Sequence, residues 1–182
     1  MTRDEIVNRV VDCLKAARVS FMLVGSFSSN YYGVPRATRD VDVVLETSAV
    51  LDDAFVQSLG PAFEISQQPS FETNTGTHRQ ELFVKGSLFK IELFRLSNDP
   101  HDRERFRRRR LAVVQGHDFY FPAPEDVIIW KLRWARAKDR EDVRAVIGVQ
   151  QQSLDWPYIE KWCARHGTKE ALEEIRRSVP NL

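Results

Sequence analysis

Two pairs of residues in the first quarter of the chain have the types and spacing for phosphate chemistry. Gly25 and Ser26 close an apolar run, "SFMLVG", and Asp40 and Asp42 stand inside another, "DVDVVLE", with thirteen residues between the pairs. Acidic residues are poor strand formers and are costly to bury beside Val and Leu unless something offsets their charge. Side chains alternate along a strand, so Asp40 and Asp42 share one face while Val41 and Val43 take the other. Two neighbouring carboxylates repel, and without a cation one of them is forced towards its protonated form. Hard oxygen ligands suit Mg²⁺, which takes one or two carboxylates and completes its shell with water and phosphate oxygens. A glycine where a strand meets a helix lets the backbone approach a phosphate, and the amides of the helix start attract anions. A phosphate cradle with a paired-aspartate cation site points to phosphoryl or nucleotidyl transfer. Taken singly, each pair is also ordinary: Gly-Ser is a common turn, and Asp-x-Asp arises by chance.

The elements that must hold these residues can be read from periodicity. Residues 2–17 carry a Thr2–Glu5 capping pattern and an apolar stripe of Ile6, Val7, Val10, Val11 and Leu14, which predicts a helix. "SFMLVG" predicts a buried strand, residues 26–33 a short helix ending at Gly33, and "DVDVVLE" a second strand. Ser48 is expected to cap a helix running to about Ser58. The polar stretch "SQQPSFETNTGTHRQ" reads as a loop. "QELFVK" and "LFKIELFRL" read as strands joined at Gly86-Ser87, residues 99–109 as a basic helix, and "LAVVQGHDFYFP" as two short strands around Gly116-His117. From Pro124 onward four helices are expected, the first to about Ala137 and the others starting near Asp139, Asp155 and Thr168. This order predicts an α/β (α+β) chain: a core of residues 1–122 with a short mixed β-sheet flanked by helices, and a C-terminal helical subdomain of residues 123–182 packed on that core.

Composition narrows the classes. The 182 residues are 42% hydrophobic and 29% charged, ordinary for one domain with a small appended subdomain, and the net charge of +1 gives no global basic field for nucleic acid. The local run "RFRRRRL", residues 105–111, is either a phosphate-contacting patch or the solvated end of a helix. Cys13 and Cys163 read as reduced, packed thiols, and the four Trp residues of the helical tail as packing rather than base stacking. The opening "MTRDEIVNRV" lacks the apolar core of a signal peptide, and no run approaches a membrane span, so a cytoplasmic domain is expected.

The combined pattern resembles the signature of the nucleotidyltransferase superfamily, the polymerase-beta-like fold: an apolar residue, Gly25-Ser26, a gap of this length, then Asp40-Val41-Asp42-Val43. "GVPRATRDVDVVLE" is similar to the bacterial branch that includes AbiEii-like toxins and related small nucleotidyltransferases. The resemblance implies that Gly25 and Ser26 hold a nucleoside triphosphate and that Asp40 and Asp42 bind Mg²⁺ or Mn²⁺. The superfamily adds a third carboxylate from a later strand, as metal ligand or base. Glu92 in "FKIELFRL" is the candidate, although the usual residue is Asp; the residues alone equally allow a glutamate paired with Lys90 on the same strand face. Arg36 and Arg39 precede the aspartates, either to contact phosphate or to balance the carboxylates.

A second resemblance lies in "FPAPEDVIIWKLRWARAKDREDVRAVI", residues 121–147, similar to the C-terminal motif of that branch: Pro-Glu-Asp, a Lys, an Arg, and Lys-Asp-x-x-Asp. At 100° per residue, Lys131, Ala135, Lys138 and Asp142 fall within roughly 60° of one another, in line with Val127. Such an ionic face suits one wall of a cleft, with Lys131 or Lys138 neutralising phosphate or the leaving pyrophosphate and Asp139 joining them by resemblance. The residues alone also allow a plain helix junction at Lys138-Asp139, or a surface pair of Lys138 with Asp142.

The expected activity is metal-dependent transfer of a nucleoside monophosphate to an acceptor hydroxyl. By family, that acceptor is a tRNA or other RNA end, a protein or a small molecule, and a toxin–antitoxin setting adds a cognate partner protein. The rival is a non-catalytic, antitoxin-like module of the same fold that binds nucleotide or a partner.

Overall fold

The computed structural model describes residues 1–46, 53–66, 68–73 and 76–180. The expected Ser48 cap lies outside these residues. The described chain divides into two compact units, one of residues 1–23 and 38–121, the other of residues 24–37 and 122–182.

The first unit is built on a mixed sheet. It opens with α1 (Arg3–Ala16), whose capping box forms as expected: the Thr2 hydroxyl accepts from the Glu5 amide at 3.2 Å, and the Glu5 carboxylate accepts from the Thr2 amide at 2.8 Å. The whole predicted stripe, Ile6 to Leu14, is buried. Strands β1 (Ser20–Val24), β2 (Asp40–Glu46), β3 (Phe63–Ile65), β4 (Ser70–Glu72), β5 (Thr77–Val84) and β6 (Lys90–Arg95) form one sheet of order β1-β2-β6-β5-β3, with β4 added to β5. Strand β6 runs parallel to β2 and antiparallel to β5. Helix α3 (Asp53–Leu59) precedes β3; α4 (Pro100–Arg107) leads to a separate hairpin, β7 (Arg110–Val114) with β8 (His117–Phe121).

Two strands depart from the expectation of a loop over the polar stretch. Strand β4 lies inside the polar stretch, and β5 begins at Thr77, three residues before "QELFVK". Strand β4 has no buried residue and is held by its backbone bonds to β5, whereas β5 alternates only at its end, where Leu82 and Val84 are buried and Phe83 is exposed. The arginine-rich run is also divided. Arg105 is buried against Asp102 at 2.5 Å, Arg109 lies over the Phe106 ring at 4.2 Å, and Arg107 pairs with Glu104 at the surface.

The second unit is helical: α2 (Gly25–Tyr32), α5 (Pro124–Trp134), α6 (Ala137–Gln150), α7 (Trp156–His166) and α8 (Lys169–Ser178). Pro124 occupies the start of α5, and the two acids after it hold a neighbour. Asp126 accepts from the Tyr158 hydroxyl at 2.7 Å, and Glu125 from the Asp155 amide at 3.3 Å, fixing α7 against α5. Each of the four tryptophans carries an arginine over its ring, at 4.1–5.1 Å, which accords with packing. Both cysteines are free thiols. No helix among the described residues is long and apolar enough to cross a membrane.

Candidate functional site

In the sheet unit, the aspartates stand where alternation puts them. Val41 and Val43 are buried, whereas Asp40 and Asp42 are half-buried on the opposite face of β2. Register extends that face across three strands. Asp40 pairs with Lys90 and Asp42 with Glu92; Glu92 in turn pairs with Glu81 on β5. A row of three carboxylates, Asp42–Glu92–Glu81, therefore crosses the sheet. Like charges directly opposite destabilise a sheet, so cations must relieve the row. The Lys90 ammonium does so, donating to Glu92 at 2.5 Å and to Glu81 at 2.9 Å, and Arg79 lies 3.4 Å from Glu92. The bond to Glu92 raises the Lys90 pKa above its ordinary value, and the Lys90 bond lowers that of Glu81, in each case against burial. At the edge of the row, the Thr38 hydroxyl donates to Asp40 at 2.7 Å and fixes that carboxylate.

The donor set bears on the divalent ion that the superfamily uses. Asp40 and Asp42 offer two hard carboxylates side by side, which fits Mg²⁺ when substrate phosphates and water complete the shell. Among the described residues there is no group of three His, Cys, Asp or Glu arranged to hold a metal. Glu92, beside Asp42 in register, has its carboxylate engaged by Lys90 and Arg79.

In the helical unit, Gly25 and Ser26 begin α2. Gly25 has φ 61°, a left-handed conformation that explains glycine at this turn. No side chain caps the helix start, so its first amides are not consumed by a capping residue. The Ser28 hydroxyl donates to the Gly25 carbonyl at 3.0 Å and that of Ser29 to the Ser26 carbonyl at 3.2 Å, which ties down the first turn. The Ser26 hydroxyl accepts from Arg36 at 2.9 Å.

Arg36 is part of a buried ionic cluster. Its guanidinium forks onto Asp142 at 2.6 and 2.8 Å, and Lys131 donates to the same carboxylate at 2.6 Å and to Asp139 at 3.4 Å. Arg136 also holds Asp139, at 2.6 Å. Burial pushes the Asp142 carboxyl up, but the bonds from Arg36 and Lys131 outweigh it and leave its pKa below the ordinary value.

The structure thus brings Lys131, Asp139 and Asp142 together, but not on one helical face. Helix α5 stops at Trp134 because Ala135 is left-handed, with φ 51°, and α6 starts afresh at Ala137. The proposed continuous face fails there; two helices meeting at a tight junction produce the cluster instead. Lys138 and Arg39 are exposed. Spacing did not reveal the fork of Arg36 onto Asp142, 106 residues away; Arg36 stood out only as a cation near the aspartates.

Known proteins agree with this architecture. A structure of ANT(2")-Ia in complex with adenylyl-2"-tobramycin matches with TM-score 0.61 at 11% identity, covering 93% of this chain and 99% of that one. The lincosamide antibiotic adenylyltransferase LnuA, lincomycin-bound, matches with TM-score 0.55 at 11% identity, over 82% and 98%. An antigenic nucleotidyltransferase-like protein from Paracoccidioides brasiliensis matches with TM-score 0.58 at 18% identity, over 95% and 94%. At such identities these likenesses show the nucleotidyltransferase fold. No curated protein matches the sequence. The family model described as "Nucleotidyl transferase of unknown function (DUF2204)" matches residues 3–179, and the chain belongs to that family of nucleotidyl transferases.

Proposed function

We propose that this nucleotidyltransferase moves a nucleoside monophosphate from a nucleoside triphosphate to a hydroxyl of a small molecule. The observation that carries the reading is the pair Asp40 and Asp42 on one face of β2, in a chain whose family is nucleotidyl transferases. The acceptor oxygen attacks the α-phosphorus, the bond from that phosphorus to the bridging oxygen breaks, pyrophosphate leaves, and the hydroxyl proton passes to solvent. Asp40 and Asp42 would hold a divalent ion, which when bound would neutralise phosphate charge. Thr38 keeps Asp40 oriented, and Lys90 with Arg79 keeps Glu92 from repelling Asp42.

Gly25 and Ser26 are assigned to the triphosphate, through the amides and hydroxyl at the start of α2. Arg39 and Lys138 are the cations assigned to phosphate contact, because both are exposed whereas Arg36 and Lys131 are already held by Asp142. The small-molecule acceptor draws support from the antibiotic-modifying proteins that share the fold. Kinship to AbiEii-like toxins, and with it an RNA end or a cognate partner protein, rests on the two short motifs and carries no step of this proposal.

The test is incubation with each α-labelled triphosphate, Mg²⁺ or Mn²⁺, and separate acceptor pools of aminoglycosides, lincosamides, RNA and protein. Label should appear on a small molecule and vanish with Asp40→Ala. Label on RNA or protein overturns the acceptor. No Asp40-dependent label on any pool, with triphosphate still bound in calorimetry, favours the non-catalytic module that the engaged Glu92 would suit.

A further inference from the structure

We infer that Arg36 and Asp142 form a positioning relay that makes the Ser26 hydroxyl a donor to the triphosphate. The inference rests on the reading of Gly25–Ser26 as the triphosphate turn and assigns the turn a support that the fold alone does not specify.

The chemistry starts at one hydrogen bond. Arginine has only donors, so in the 2.9 Å contact Arg36 donates and the Ser26 oxygen accepts. A hydroxyl carries a single proton. Among the described residues no acceptor is bonded to that proton, so it is left for an incoming anion. A donor that is itself polarised by a guanidinium makes a stronger bond to a phosphate oxygen than a free serine does.

Arg36 can act this way only if it is held still, and two side chains, Asn30 and Asp142, hold it. The Asn30 side chain grips its backbone from both sides, donating to the Arg36 carbonyl at 2.8 Å and accepting from its amide at 3.1 Å. Asp142 takes the guanidinium in a fork, leaving the same terminal nitrogen that bonds Asp142 to reach Ser26 as well. Lys131 shares the Asp142 carboxylate, so two cations meet at one buried anion and keep it charged.

The relay is continuous with the way α2 lies along α6. Successive turns of α6 meet it: Asp142 through Arg36, Val146 through its backbone, and Gln150, which donates to the Tyr32 carbonyl at 2.9 Å. At the middle contact, a Cβ built on Gly33 would lie 3.0 Å from the Val146 nitrogen, a crowded distance that glycine avoids. The far end of α2 is thus fixed by its backbone, and its phosphate-facing start by an ionic side-chain relay.

The experiment is isothermal calorimetry of the full chain with ATP and with tripolyphosphate, alongside thermal unfolding. The variants are Ser26→Ala, Arg36→Lys, Asp142→Asn, and the two doubles with Ser26→Ala. Lysine keeps the charge that Asp142 needs but cannot fork. Arg36→Lys should therefore keep a near-native Tm while weakening ATP about tenfold, the same loss as Ser26→Ala. The double variant should lose no more than Ser26→Ala alone, because both changes remove one interaction. Asp142→Asn, which preserves shape, should cost about threefold, again only when Ser26 is present.

Additive losses, or wild-type affinity in Arg36→Lys, overturn the relay while leaving the triphosphate turn standing. A Ser26→Ala variant with unchanged affinity, or a wild type that binds neither probe, overturns the turn and the relay together.

Discussion

Two ionic clusters, one on the sheet and one among the helices, use the same residue types to opposite ends. In the helical unit the centre of the cluster is sealed, with Lys131 and Asp142 keeping 6% and 5% of their side-chain surface, while Arg36 and Arg136 close it from the solvent side. On the sheet, Lys90 keeps 36%, and the carboxylate row runs out to Asp40 and Asp42 at half burial. A sealed cluster holds geometry, because breaking it strands a charge in low dielectric. With Lys90 and Arg79 occupied by Glu92 and Glu81, we propose that an added cation goes to the outer end of the row, where Asp40 and Asp42 lie side by side. The difference teaches where binding and scaffolding divide in a chain rich in both signs of charge.

Substitutions that separate catalysis from stability should show this division most sharply. Asp42→Asn should lower nucleotidyl transfer about 10³-fold. Its Tm should hold, since Asn keeps the shape of a half-buried side chain; a large drop in Tm would mean that Asp42 is scaffold rather than site. Lys131→Met should do the reverse in kind, costing about 3 kcal/mol of stability by leaving Asp139 and Asp142 buried with one cation fewer. Lys131→Met with Asp142→Leu should recover part of that loss in denaturant titrations, because two apolar groups then replace a pair.

How much of this was legible in the sequence depended on the range of the interaction. The boundaries of α1 and β2 follow from a capping box and from alternation, both local, and the strand falls on "DVDVVLE" as read. The shared face of Asp40 and Asp42 is equally local. By contrast β4 is three residues long, with no buried face, and exists through its partner β5. The break expected between about Ala137 and Asp139 falls two to three residues earlier, at Ala135, because a left-handed residue at a helix end is usually Gly or Asn and an alanine there gives no signal. The two acids after Pro124 read as complements to a helix start, yet their carboxylates also fasten α7. Arg36 and Asp142 are brought together by tertiary packing, which no spacing rule reaches. Gly33 closing a predicted helix was a clue of a different kind: the gap beyond it is filled by α6.

Acid should distinguish the clusters next. The Asp142 carboxyl lies below its ordinary value of 3.8 in the folded protein, so its ion pairs stabilise the fold fully above 3.8. That contribution is lost as pH falls through the lower, folded value. Denaturant midpoints followed from about pH 5 to about pH 2.5 should therefore fall more steeply in wild type than in Asp142→Asn, which lacks the titrating group. Parallel curves would show that the fork of Arg36 does not hold the carboxylate charged.

Salt offers the finest comparison. Lys90→Met strands Glu81 and Glu92 beside each other, but solvent reaches this face and Arg79 remains, so the loss should be about 1 kcal/mol after allowance for screening. At 1 M salt the Debye length is about 3 Å, against about 10 Å at 0.1 M. Repulsion across the open row should then be damped, and the Lys90→Met deficit should shrink towards zero. The Lys131→Met deficit should shrink less, because Lys131 and Asp142 are buried at the cluster's centre even though Arg36 and Arg136 reach solvent at its edge. Equal salt sensitivity in the two variants would place both clusters in the same solvent environment and remove the basis for assigning binding to one and scaffolding to the other. The alkaline limb gives an independent check on the same lysine. Its pKa is raised above 10.5, so its stabilisation is complete below that value and is lost as pH rises through the folded one, a loss that Lys90→Met should not show.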